Sequence, residues 1–181
     1  VLSFDEPVMN EPGNPYGIDL LVFGNAGYID TSYPTGTAGA GMFSVGNGVV
    51  ELSADGVSWF SAGAVADSGF PTLGYSDLTD PYALSAGSML SDFTRPVNPA
   101  LGVAGLTFAQ IVAGYAGSGG GTGIDIGAVG LSSVSFVRIS NTAGSLVTVD
   151  IDGVSDVSAV PGPGPLCVLA AGGLIARRRR R

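Results

Sequence analysis

The chain has 181 residues with no Lys and no His, and its seven positive charges are all Arg. Five of them are the last five residues, so residues 1–176 carry two Arg against fifteen Asp or Glu, a formal charge of −13. A body this acidic repels phosphate backbones and argues against nucleic-acid binding. The missing side chains remove His-based catalytic pairs, imidazole metal ligation, a Walker-type phosphate loop and Schiff-base chemistry. With Cys167 the single cysteine, an internal disulfide and a thiolate zinc site are also out of reach.

Thirty Gly and eleven Pro, with abundant Ser, Thr, Val and Ile, predict an all-β domain with many turns. The 45% share of hydrophobic residues and a mean hydropathy of +0.41 favour a packed core over disorder. The chain opens with VLSFDEP and no Met, which reads as the middle of a domain, with a signal peptide expected upstream.

In VLSFDEP, Leu2 and Phe4 alternate with Ser3 and Asp5, the period of a half-buried strand. Residues 10–17, NEPGNPYG, are dense in turn formers and predict a loop. Residues 18–29, IDLLVFGNAGYI, predict one continuous apolar strand, with Gly24 marking a bulge or a close backbone approach. Residues 31–48 read as a Gly/Thr loop.

Residues 49–61, VVELSADGVSWFS, predict a hairpin around a two-residue Asp55-Gly56 turn. That register sets Leu52 opposite Trp59 and Ala54 opposite Val57 on one face, with Glu51, Ser53 and Ser58 on the other. Trp59 is then a core residue, the alternative being a sugar-stacking platform with the tyrosines. Residues 62–105 read as loop.

Residues 107–115, TFAQIVAGY, predict a short helix capped by Thr107, with Phe108, Ile111, Val112 and Tyr115 in one stripe. Residues 116–123, AGSGGGTG, predict a flexible linker and do not satisfy G-x-G-x-x-G. Residues 133–140, SVSFVRIS, alternate with Val134, Phe136, Arg138 and Ser140 on one face, which aims Arg138 at the interior or at a carboxylate. Residues 146–160 predict a final strand.

Beyond it, Leu166–Ala176 is an uncharged, largely apolar run followed by Arg177–Arg181. As a hydrophobic helix these eleven residues rise roughly 17 Å, against about 30 Å for a bilayer core. Spanning needs help from the Pro-Gly segment, snorkelling arginines and local thinning. The arginines would stay on the cytoplasmic side, leaving the acidic body outside. The division is a body at 1–158 and a sorting or anchor segment at 159–181, with residues 164–181 in contact with the membrane. Cys167 reads as a small apolar filler.

This tail resembles the PEP-CTERM sorting signal of exported bacterial envelope proteins, which joins a Val-Pro-x-Pro motif, a short apolar segment and a terminal Arg cluster. The matching residues are Val160, Pro161, Gly162 and Pro163, then Arg177, Arg178, Arg179, Arg180 and Arg181. Gly162 stands where that family most often has Glu. The resemblance implies recognition by a membrane-embedded sorting transpeptidase of the exosortase type, transient anchoring in the inner membrane, and release or surface attachment of the body. The stretches LSFDEPVMNEPGNPYGIDLLVFGNAG, VELSADGVSWF, GGGTGIDIGAVGLSSVSFVRIS and VDIDGVSDVSAVP are similar to a family of secreted β-sandwich proteins found before such tails. That resemblance implies a jelly-roll-like β-sandwich and no particular chemistry; where Gly24 stands, the family often has Glu.

Six oxygen donors suggest a site. Asp5, Glu6, Asp19 and Asn25 lie early in sequence, and Asp150 and Asp152 project to one face of the last strand. If the first and last strands run close together, these six could hold one Ca²⁺. Solvated surface acids, or loop Asp making turns, are the other reading. The expectation is therefore an exported cell-surface or matrix protein that is not an enzyme, with extracellular polysaccharide a candidate partner. A calcium-dependent carbohydrate-binding module is the alternative. A glycosidase would need two carboxylates facing each other across a cleft, and nothing in the sequence marks one.

Overall fold

The computed structural model describes residues 1–46, 48–65, 68–82, 85–144 and 146–157. The sorting motif, the apolar run, the hydrophobic helix expected there and the Arg cluster all lie outside these residues. Within them the chain forms nine strands in three antiparallel sheets, with one short helix. The strands are β1 Leu2–Met9, β2 Leu20–Gly24, β3 Gly27–Asp30, β4 Ala38–Phe43, β5 Gly48–Ser53, β6 Phe60–Val65, β7 Thr122–Ile124, β8 Ser133–Asn141 and β9 Ile151–Asp156; the helix is α1 Phe108–Tyr115. A four-stranded sheet has the order β1-β8-β5-β6, a three-stranded sheet β7-β2-β9, and β3 pairs with β4.

Apolar alternation builds the main core. Val8, Val50, Leu52, Val134 and Val137 from the four-stranded sheet meet Leu20, Val22 and Ile124 from the three-stranded sheet, and Ile126 joins them. Most of these side chains are sealed from water, and each contributes roughly 1.5–3 kcal/mol by burial. On the other side of β2, Leu21 and Phe23 pack with Ile18 and Val157, against Phe93.

The expected strand over 18–29 is in fact two, because the chain breaks at Asn25-Ala26 and leads β3 into a separate sheet. Gly24 does sit at a slip in pairing: Phe23 faces Gly153 and Gly24 faces Ile151. The expected loop over 31–48 contains β4. There Phe43 pairs with Gly27, and its ring covers the space where a Cβ on Gly27 would collide. Glycine-rich strands lack the branched, alternating pattern that signals a strand.

The β5–β6 hairpin corrects the expected register by one residue. Leu52 pairs with Phe60 and Glu51 with Ser61, across a six-residue loop at 54–59. The Asp55 carboxylate accepts the N–H groups of Val57 and Ser58 (2.8 and 2.7 Å) and the Ser53 hydroxyl (3.0 Å). This side-chain turn enlarges the loop beyond two residues. A one-residue slip moves side chains to the opposite face. Trp59 therefore leaves Leu52 and lies under the Arg138 guanidinium, 4.3 Å from its ring centre. Arg138 in turn grips Glu51 with two bonds of 2.7 Å. Arg138 meets a carboxylate, but on the side of β8 away from Val137.

Strict alternation fails on β8 for a related reason. Val134 and Val137 are both fully buried although three positions apart. The pairing with β1 slips between Ser3 and Val8, so residues 4–7 all stand opposite Ser135.

The helix follows its sequence. Thr107 and Gln110 form a reciprocal capping box, and Ile111 and Tyr115 are buried. The expected linker over 116–123 is instead a packed element. Ser118, Gly119, Gly120, Gly121 and Thr122 are all buried, and β7 begins within it. The Gly119 N–H bonds to the Asp92 carbonyl, the Gly121 N–H to the Phe70 carbonyl, and the Ser118 hydroxyl to the Arg95 carbonyl. Of the strand expected over 146–160, β9 takes Ile151–Asp156, and residues 158–160 lie outside the described residues.

Candidate functional site

The six expected calcium ligands are spread over both large sheets. Asp5 and Glu6 are exposed in the irregular part of β1. Asp19 is fully buried just before β2, and Asn25 is exposed just after it. Asp150 precedes β9 and Asp152 lies on it, both exposed. The first and last strands pair with different neighbours. Val1 and Leu2 share a groove of about 450 Å³ with Ile151 and Asp152. Among the described residues, no group of three or more His, Cys, Asp or Glu side chains is arranged to hold a metal ion.

Asp19 has a structural task. Its Oδ1 accepts the Glu11 N–H (3.1 Å) and the Asn14 side-chain amide (2.9 Å), and its Oδ2 accepts the Ile126 N–H (3.1 Å). The carboxylate thereby ties the 10–17 loop and the segment after β7 to the start of β2. Asn14 Oδ1 is buried beside it without a hydrogen-bond partner among the described residues. Nearby, the Asp156 carboxyl is raised, first by desolvation and then by the charges of Glu11 and Asp19.

The feature best formed to receive a ligand is a cleft of about 320 Å³ that sequence reasoning did not find. Its walls are the β3–β4 hairpin, the 71–82 loop and one face of α1. Two hydrogen bonds dock the hairpin on the chain ahead of the helix: the Ala38 N–H to the Leu106 carbonyl (2.9 Å) and the Gly105 N–H to the Ala38 carbonyl (2.7 Å). Behind the cleft, Ala38, Val97, Ile111 and Tyr115 form a third apolar cluster, joined by Tyr28, Phe70, Leu73, Leu101 and Leu106.

Aromatic rings dominate the lining, with Tyr28, Phe43, Tyr82, Phe108 and Tyr115. At the rim, Tyr82 and Tyr33 meet edge to face at 5.1 Å and are 45% and 77% exposed. The Tyr82 hydroxyl donates to Asp30 Oδ2 (2.9 Å), which fixes the ring at the cleft mouth. Asp30 also accepts the N–H groups of Ser32 (2.7 Å), Gly36 (3.0 Å) and Thr37 (3.0 Å). Partial desolvation pushes this carboxyl up, but the four donors together outweigh it and hold the group below its ordinary value.

Deeper in, the Tyr115 hydroxyl donates to the Pro71 carbonyl at 2.9 Å and lies 3.2 Å from the Tyr28 hydroxyl. With the single Tyr115 proton committed to Pro71, Tyr28 is the donor in that pair, and its oxygen keeps lone pairs to accept from a ligand. Burial pushes both phenols up, so both are neutral at physiological pH. The sequence signal was present as Tyr28, Tyr33 and Tyr82, but Tyr82 lies far along the chain from the other two and only the fold gathers them.

No helix among the described residues is long and apolar enough to cross a membrane. No family model, curated protein or solved structure matches the chain.

Proposed function

We propose that the chain is an exported bacterial surface or matrix protein without catalytic activity, a jelly-roll-like β-sandwich body delivered by a C-terminal sorting segment. The observation that carries this reading is the charge asymmetry of the sequence: a body of formal charge −13, then the uncharged run Leu166–Ala176, then Arg177–Arg181. A membrane holds such a cationic end on its inner side and leaves an acidic domain outside. The Val160-Pro161-Gly162-Pro163 motif fits a recognition point for a membrane-embedded sorting transpeptidase, with residues 164–181 in contact with the bilayer. The sandwich architecture is supported by a main core drawn from the facing sides of the four-stranded and three-stranded sheets. The non-catalytic role is supported by the lack of His and Lys.

Replacing Arg177–Arg181 by five Ser in the native host tests the reading. The expected outcome is loss of processing, with the body no longer delivered to the site that the parent protein reaches. Unchanged delivery of the Ser variant would contradict it.

A further inference from the structure

The geometry points to the aromatic cleft between the β3–β4 hairpin, the 71–82 loop and α1 as a binding site for a neutral sugar ring of an oligosaccharide, stacked on Tyr82 and hydrogen-bonded to the Tyr28 hydroxyl.

The volume sets the scale. A cleft of about 320 Å³ stands at the small end of pockets that hold compact organic ligands. Its surface is mostly carbon, which asks for a ligand with an apolar face. Tyr82 offers such a face at the mouth, 45% exposed, and its position does not depend on the ligand. The hydroxyl bond to Asp30 and the edge contact with Tyr33 hold the ring before anything binds, so little rotamer entropy is lost on stacking. Contiguous exposed aromatic surface of this kind marks contact surfaces.

Polarity narrows the class. Tyr28 Oη is an acceptor with one bond donated and lone pairs to fill, so the ligand brings a hydroxyl or N–H. Among the described residues, Asp30 is the one charged residue in the lining, and four donors already occupy its oxygens. An anionic ligand would meet that carboxylate and the −13 charge of the body. A cation would have to displace bonds that hold the hairpin loop together. A neutral pyranose has the two required features at once, a C–H face for the tyrosine and ring hydroxyls for the Tyr28 oxygen. Gly36 fits this picture: at φ +74, and with Pro81 and Phe108 filling the space that a Cβ would need, it lets the loop close on the cleft wall.

This site goes beyond the delivery reading above and does not depend on the fate of the tail. The test is isothermal calorimetry on the full chain with cellohexaose, maltohexaose and mannohexaose, and with trigalacturonate as the anionic counterpart. Saturable binding of at least one neutral oligosaccharide is expected, with none for trigalacturonate. Tyr82→Ala should weaken that binding about tenfold or more, and Tyr28→Phe about fivefold. Tyr82→Phe keeps the ring and should cost about threefold or less, which separates loss of stacking from loss of the fold. No saturable binding of any neutral oligosaccharide would overturn the assignment. So would binding that Tyr82→Ala and Tyr28→Phe leave unchanged, or trigalacturonate binding as tightly as the neutral sugars.

Discussion

Asp55 organises the loop between β5 and β6 by accepting the Ser58 and Val57 N–H groups, and those two bonds, ahead of the smaller opposing effect of desolvation, bring its carboxyl down to about 2 from 3.8. Glu51, held by the Arg138 guanidinium, and Asp77, held first by the Ser88 hydroxyl, are also depressed. A depressed carboxyl binds its proton more weakly in the folded chain than in the unfolded one. Its stabilising effect is complete above the unfolded value and is lost as pH falls through the folded value. Asp156 has the opposite sign, because its raised carboxyl relieves repulsion when it is protonated. The depressed groups outnumber it, so the melting temperature should fall steeply between about pH 4 and 2. Asp55→Asn should flatten that slope, as followed by circular dichroism. Identical slopes for the two proteins would show that the Asp55 bonds do not form in solution. At this scale the sequence signalled that Asp55-Gly56 turns the chain, but not that its side chain would lengthen the loop and turn Trp59 away from Leu52. Likewise Asp19 read as one of six oxygen donors for a calcium ion, while its N–H partners come from Glu11, Asn14 and Ile126, the last 107 residues away.

Elements whose own residues dictate them were legible. The helix over Phe108–Tyr115 has its Thr107 cap and its stripe within nine residues; the structure forms the cap, adds Gln110 as its reciprocal partner, and buries Ile111 and Tyr115 of the stripe. The strand expected over 133–140 forms as β8, and the apolar run expected as one strand over 18–29 forms as β2 and β3, with the pairing irregular at Gly24. Strands built on glycine were not legible, because β4 depends on Phe43 covering Gly27 across the pair, and side-chain pattern carries no trace of that contact. The 116–123 segment is the clearest case. Glycine there serves close packing: a Cβ on Gly120 (φ +87) would collide with the Pro71 carbonyl, and one on Gly119 with the Phe93 ring. Gly120→Ala should therefore destabilise by about 2 kcal/mol or more, combining backbone strain with overlap. Gly117→Ala has a similar φ of +89 but open space around it, and should cost only about 1 kcal/mol. Urea denaturation of the two variants measures the difference. Equal costs would mean that the segment is not packed between Phe93 and Pro71.

Seen whole, the molecule pairs two unlike parts. The described body is a set of antiparallel sheets around one main core, with the aromatic cleft built by the β3–β4 hairpin on its own small sheet. A strong negative charge opposes self-association of such a glycine-rich, apolar-leaning domain. The remaining chain, from the Pro-Gly segment to Arg181, has the opposite charge and an apolar stem. The cleft could not be anticipated because it has no local motif, whereas the tail reading rests on a compositional and contiguous signal that lies outside the described residues. Delivery by that tail is most directly tested by fractionating the native host and determining the mass of the body's own C-terminus. The expected result is a body outside the cytoplasm that ends near Val160–Pro163 and has lost Arg177–Arg181. A soluble cytoplasmic protein that still carries all five terminal arginines would contradict it.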